Sequence, residues 1–244
     1  MKIRENVFLV GSGYVGFRMT SLWDCNVYLL DGGSEAALID AGGGLEPHRI
    51  ISELHHDGVG IGKVKSVLLT HAHGDHAAGA SNWHSEYGMK VYCASEAKPW
   101  MEKGDESKFS LDVARRAGIY PDDFVSPPCP IEKGLEDGDL ITIGAITLQV
   151  IETPGHARGH LSYWWREERL LFSGDVVFPG GRISPQVTWD FSILELQNSM
   201  AKLHALNAET LCAGHGAPQL TGANEEIAIA HKKLQKLQFP QSLV

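Results

Sequence analysis

Four times along this chain an apolar, β-type run ends at a histidine or aspartate beside a glycine. Residues 66–69 lead into Thr70-His71-Ala72-His73-Gly74-Asp75-His76, and residues 146–151 lead into Thr153-Pro154-Gly155-His156. Residues 169–172 lead into Ser173-Gly174-Asp175, and residues 210–213 lead into Gly214-His215-Gly216. Any one of these histidines, met alone, reads as a hydrogen-bonded turn residue. Their repetition constrains the fold: strands that end on one rim of a sheet sandwich would bring these groups together.

The densest of the four ends is the stretch from Thr70 to His76. His71 and His73 are two apart, so on an extended backbone they point the same way. Gly74 lets the chain turn, and Asp75 and His76 can then face a second point in space. Neutral imidazole is the commonest metal ligand and suits zinc, copper, iron and nickel. The competing reading is a solvated, His-rich turn, which four ligand-type residues at this spacing disfavour.

The 244 residues are read as a single domain over 1–244, with 43% apolar residues to build its core. A formal net charge of −9 does not favour phosphate-backbone binding, so nucleic acid is not the expected partner. Cys25, Cys93, Cys129 and Cys212 are spread singly, with no CxxC, and are expected to be reduced. The N-terminal stretch lacks the apolar core of a signal peptide and no run is long enough to span a bilayer, so a cytoplasmic protein is expected.

Gly11-Ser12-Gly13-Tyr14-Val15-Gly16 matches G-x-G-x-x-G, with Asp31 twenty residues after Gly11. That fingerprint requires a helix to start at the glycines. Residues 17–23 carry neither a cap nor an apolar stripe, so the match reads as a glycine-rich loop between strands. Residues 26–30 and 36–40 form a hairpin pattern around Asp31-Gly32. Asp40, at a strand end beside glycines, is either turn chemistry or a carboxylate that supports metal ligands from behind. Helices are expected over 45–57, 75–87, 106–117, 191–206 and 224–237, with strands over 7–10, 66–70, 89–94, 139–143, 146–151, 161–165, 169–172 and 210–213. His48, His55 and His56 have no ligand pattern and read as surface residues.

Over nearly its whole length the chain resembles the metallo-β-lactamase superfamily. Its H-x-H-x-D-H motif is present as His71, His73, Asp75 and His76, and its later His, Asp and His as His156, Asp175 and His215. The resemblance implies a four-layer αβ/βα sandwich, here with a helical insertion around residues 95–136. It also implies two divalent metal ions. The first would be held by His71, His73 and His156, the second by Asp75, His76 and His215, with Asp175 bridging. Zinc is the default for such donors, with iron and manganese compatible. The implied chemistry is attack by a hydroxide shared between the two ions, with Asp75 orienting the nucleophile and moving its proton.

Within the superfamily the likeness is to glyoxalase II-like and lactonase-like hydrolases, carried by Thr153–His156, Phe172–Asp175 and Ala213–Gly216. An acid at Asp175 argues against the antibiotic-cleaving branch, and His73 against the flavodiiron branch, which has Glu there. The expectation is hydrolysis of an ester, thioester or lactone in a small molecule. The stretch after His215 is long enough for one helix and too short for the glutathione-binding helical domain of true glyoxalase II, so a glutathione thioester is not implied. The alternative is a metal-dependent nuclease of the same superfamily. His160 reads as a buried, hydrogen-bonded histidine or a support for a ligand. Tyr14, Phe178 and Trp189 read as core or rim packing, and Arg182 as a solvated loop arginine before a carboxylate anchor. The acidic surface and the insertion leave room for a homodimer.

Overall fold

The computed structural model describes residues 1–243. In chain order the elements are β1 (Lys2–Arg4), β2 (Val7–Gly11), β3 (Val27–Asp31), β4 (Ala36–Ile39), α1 (Pro47–His56), β5 (Val64–Leu68), α2 (Gly74–Ala77), α3 (Ala80–Tyr87), β6 (Lys90–Ala94), α4 (Lys98–Lys103), α5 (Leu111–Arg116) and β7 (Lys133–Leu135). These are followed by β8 (Leu140–Ile143), β9 (Ile146–Glu152), β10 (Leu161–Trp165), β11 (Leu170–Gly174), α6 (Ile193–Ala205), β12 (Thr210–Ala213) and α7 (Ala223–Gln235).

Two mixed sheets result. The first has seven strands in the order β1-β2-β3-β4-β5-β6-β7, antiparallel up to β4 and parallel from there on. The second has five in the order β12-β11-β10-β9-β8, antiparallel except for the β11–β12 pair. Alternation explains how the second sheet divides its side chains. Val150, Tyr163, Phe172 and Cys212 join the large core shared with the first sheet. Their neighbours Ile151, Trp164, Leu171 and Leu211 turn the other way, onto Leu196, Met200 and Leu203 of α6 and Ile227 and Leu234 of α7. Strands covered on both faces read as unbroken apolar runs, which is why β10 and β11 show no polar face. Helices outside each sheet complete the four-layer αβ/βα sandwich.

The sheets are joined where the ligand-type residues stand. The Leu161 N–H donates to Thr70 O (2.7 Å), and the Tyr163 hydroxyl to Leu69 O (2.6 Å). The Asn26 N–H donates to Gly214 O (2.6 Å), and the Tyr28 hydroxyl to Ala213 O (2.8 Å). The end of β5 is thereby tied to the start of β10, and the end of β12 to the start of β3.

Two expectations need correction. The helix expected over 75–87 is two helices, α2 and α3. Gly79 lies against the loop after β4, donates to Gly42 O (2.9 Å), and has no room for a Cβ, which would collide with Ala41 O. The helix expected over 106–117 is the shorter α5, because Ser110 adopts a left-handed φ of 54° immediately before it. The edge strands β1 and β7 were not anticipated; three residues each are too few to show alternation. The glycine-rich loop at 11–16 starts no helix. It is closed by Ser12, whose Oγ donates to Asn26 Oδ1 (2.7 Å) and accepts from the Phe17 N–H (2.8 Å).

Candidate metal centre

The backbone at His73 is extended (φ −62°, ψ 150°), and α2 begins at Gly74. His71 and His73 therefore project together, and the first turn of α2 carries Asp75 and His76 to a second point. Gly74 is required by space: a Cβ there would come within 2.7 Å of the Phe124 ring. His156 follows β9, Asp175 follows β11 and His215 follows β12. All seven side chains meet at the joint between the sheets.

Two groups form. In the first, His73 Nδ1 stands 3.1 Å from both His71 Nε2 and His156 Nε2. In the second, His215 Nε2 lies 3.0 Å from Asp75 Oδ2, and His76 Nε2 lies 3.6 Å from that same oxygen. Asp175 stands between the groups. Its Oδ1 is 3.4 Å from His76 Nε2, and its Oδ2 is 3.4 Å from His215 Nε2 and 3.6 Å from His156 Nε2.

The residues behind the cluster set which ring nitrogens face it. Asp40 holds a left-handed φ of 65°, a strained conformation tolerated where side-chain bonds over-determine it. It accepts from the Thr70 N–H (2.7 Å) and from His76 Nδ1 (2.8 Å). The Thr70 hydroxyl donates to Asp40 Oδ2 (2.9 Å) and accepts from His71 Nδ1 (3.0 Å). Protons on these Nδ1 atoms leave Nε2 of His71 and His76 as lone pairs facing inward. Of the two readings of Asp40, support from behind is the one its contacts match.

His160 also sits behind the cluster. Its Nε2 accepts from the Asp175 N–H (3.1 Å), and its Nδ1 donates to Thr153 Oγ1 (2.9 Å), while the ring stacks on His71 at 4.9 Å. Two partners were not anticipated. The Tyr120 hydroxyl, from the segment between α5 and β7, donates to Asp75 Oδ1 at 2.6 Å. Asp190, in the loop before α6, lies 3.3 Å from His73 Nε2 and accepts from Ser110 Oγ at 3.0 Å. Neither carried a sequence signal, since both lie in irregular stretches where position in space cannot be read from periodicity.

Charge divides along the same line. Burial pushes His156 down to about 4 and His71 well below its ordinary value, so these two rings are neutral imidazole. Burial also opposes charge on His215, but Asp175 and Asp75 outweigh it and raise the ring to about 9. Asp175 is buried too, yet His215 and His76 hold it well below the usual carboxylate range.

The donor set fits a metal ion. Lone pairs of His71, His73 and His156 converge, and His76 Nε2 and Asp175 Oδ1, both buried and facing the cluster, have no hydrogen-bond partner. A tetrahedral zinc ion with Zn–N of about 2.0–2.1 Å would separate its ligands by roughly 3.3 Å, close to the 3.1 Å observed. Ligand atoms of His71, His73 and His156, of His71, His76 and Asp175, and of Asp75, His76 and His215 each lie within 4.8 Å of one another. Cys25 meets the same criterion with Asp40 and His76. Its thiol is fully buried, and burial pushes its pKa up.

A cavity of about 630 Å³ opens from His73, Asp75, Asp175 and His215. Tyr14 lies on its wall and is 64% exposed. Phe178 is fully buried in the second core. Trp189 packs edge-on to Trp100 at 5.9 Å and does not line the cavity. Arg182 donates to Pro179 O (2.9 Å) and does not line the cavity. His48, His55 and His56 are exposed on or beside α1. Among the described residues no helix is long and apolar enough to cross a membrane.

Residues 20–215 match the profile of the family described as Metallo-beta-lactamase superfamily. The chain is 28% identical over 199 residues to Beta-lactamase-like protein 2 homolog of Caenorhabditis elegans, covering 80% of this chain and 57% of that protein. It is 26% identical over 192 residues to Hydroxyacylglutathione hydrolase GloC of Haemophilus influenzae, covering 77% and 82%. Against other bacterial proteins named hydroxyacylglutathione hydrolase, the matched part spans only about half of the relative's length. Among solved structures, the metallo-beta-lactamase family protein TTHA1429 from Thermus thermophilus superposes with a TM-score of 0.73 at 25% identity, covering 96% of this chain and 81% of that one.

Proposed function

The chain belongs to the metallo-β-lactamase superfamily, and on that premise we propose that it is a dinuclear metal-dependent hydrolase of an ester, thioester or lactone. His71, His73 and His156 would hold one ion and Asp75, His76 and His215 the other, with Asp175 shared between them. The observation that carries this reading is Asp175, whose Oδ2 lies 3.6 Å from His156 of the first group and 3.4 Å from His215 of the second, while its Oδ1 faces His76. Zinc suits the nitrogen and oxygen donors, and iron and manganese are compatible with them. Bound divalent ions in such a pair acidify water and polarise the oxygen of an electrophile.

The chain's own residues do the rest. Asp40 and Thr70 fix the rings of His71 and His76, Asp190 faces the outer nitrogen of His73, and His160 pins the backbone at Asp175. Tyr120 donates to Asp75 Oδ1 and so fixes the carboxylate whose Oδ2 faces His215 and His76; held there, Asp75 orients the attacking water and moves its proton. The name of the Haemophilus relative supports the thioester branch.

The test is elemental analysis of the purified, zinc-supplemented protein, paired with turnover of a lactone, a thioester, a phosphodiester and a β-lactam. Two metals per chain with lactone or thioester hydrolysis is the expected result. One iron per chain without hydrolysis would overturn the reading, as would phosphodiester cleavage alone.

A further inference from the structure

We infer that the cavity takes an uncharged acyl compound with an apolar tail and selects against substrates with an anionic leaving group. For the bond cleaved, this rests on the hydrolase reading above; for the tail, it rests on the cavity alone. One wall is built from α5 and the turns that flank it, through Phe109, Val113, Ala117 and Ile119. Val187 and Leu243 line it as well. Ile119 is 60% exposed and Val187 98% exposed, so apolar side chains stand in water at a mouth that leads to His73 and Asp75. A tail lying between them would remove that surface from solvent.

Charge points the same way. Among the described residues, no lysine or arginine lines the cavity. The cations on and just before α5 are committed elsewhere. Arg115 donates to Glu106 and to Phe124 O, and Arg116 pairs with Asp112. Lys108 sits 4.7 Å over the Trp189 ring. A carboxylate or phosphodiester in the cavity would find no lysine or arginine in the wall, whereas Ser184, Gln186 and Thr188 offer neutral hydrogen-bonding groups. An apolar lining with a few polar groups beside reactive residues is the usual composition of a small-molecule site.

The test uses the zinc-supplemented protein and two probe series. Thioesters from acetyl to octanoyl are supplied on N-acetylcysteamine, which is neutral, and on glutathione, which is anionic. Amides from butanamide to octanamide are titrated by calorimetry, which needs no turnover. Burial of about 0.8 kcal/mol per methylene corresponds to roughly a fourfold gain per carbon in kcat/KM and in amide affinity. The neutral thioester of each pair is expected to be preferred at least tenfold. Ala117→Trp, at an exposed position the fold can accommodate, should flatten both series from the longer tails downward. Thioester turnover that ignores tail length, or that favours glutathione, would overturn the inference and leave the hydrolase reading standing. Amide affinity that climbs with length, with no thioester cleaved, would support the tail site and remove the thioester from the hydrolase reading.

Discussion

The hydroxyl of Tyr120 donates to Asp75 Oδ1 at 2.6 Å, and the Asp75 N–H donates back to the same hydroxyl at 3.2 Å. One tyrosine thus fixes both the backbone and the carboxylate of the residue assigned the proton transfer. A hydrogen bond to a charged group contributes about 1.5–3 kcal/mol. Tyr120→Phe is therefore expected to lower kcat by about tenfold or more while the metal content stays as in the parent. Steady-state kinetics alongside elemental analysis checks this; unchanged kcat would remove Tyr120 from the positioning of Asp75.

Asp190 faces the nitrogen of His73 that points away from the cluster. Carboxylates behind metal-bound histidines fix the ring and raise its basicity, and their loss costs about 10- to 100-fold in metal affinity. Asp190→Asn should weaken zinc binding by that factor, read by competition with a chromophoric chelator. Ser110→Ala, which removes only the bond to Asp190 Oδ1, should weaken it less.

Asp175→Ala should lower metal content and abolish hydrolysis. Full activity with two metals per chain would refute its bridging position. Gly214→Ala reaches the same place from the backbone, since a Cβ there would collide with Asp175 Oδ1 and stand 2.6 Å from His76 Cε1. This variant should fold, by far-UV circular dichroism, yet bind metal poorly.

Burial pushes the thiol of Cys93 up to about 12 and that of Cys129 up to about 11. Each is neutral in the fold and ionises in the unfolded chain at about 8.5–9. Their contribution is therefore complete below about pH 9 and is lost as pH rises toward 11–12. Urea melts should show stability falling between pH 8 and 10.5, by roughly 2 kcal/mol from Cys93 alone. Native protein at pH 8 should leave all four buried thiols unreactive to Ellman's reagent until it is unfolded.

How much of this was legible depended on whether a residue belonged to a periodic element. The seven residues that gather at the joint all follow a strand or open a short helix, so spacing and apolar runs marked them. Strands β10 and β12 fell where the apolar runs put them. Gly79 split a helix whose apolar spacing looked continuous, because the constraint comes from Ala41, 38 positions earlier. Tyr120 and Asp190 were invisible for the same reason: each acts on a histidine or aspartate 45 to 117 positions away, from a stretch without period. The G-x-G-x-x-G match was separable from a dinucleotide site only by residues 17–23, which have no helical pattern and form no helix.

The joint between the sheets has a consequence for how the molecule comes apart. His71, His73, Asp75 and His76 arrive with the first sheet, whereas His156, Asp175 and His215 arrive with the second. Neither half owns a full set of donors. An ion held there would act as a rivet through both plates: it could bind only once the plates are aligned, and a slip of one plate by a single ångström would loosen its grip before any strand had unravelled.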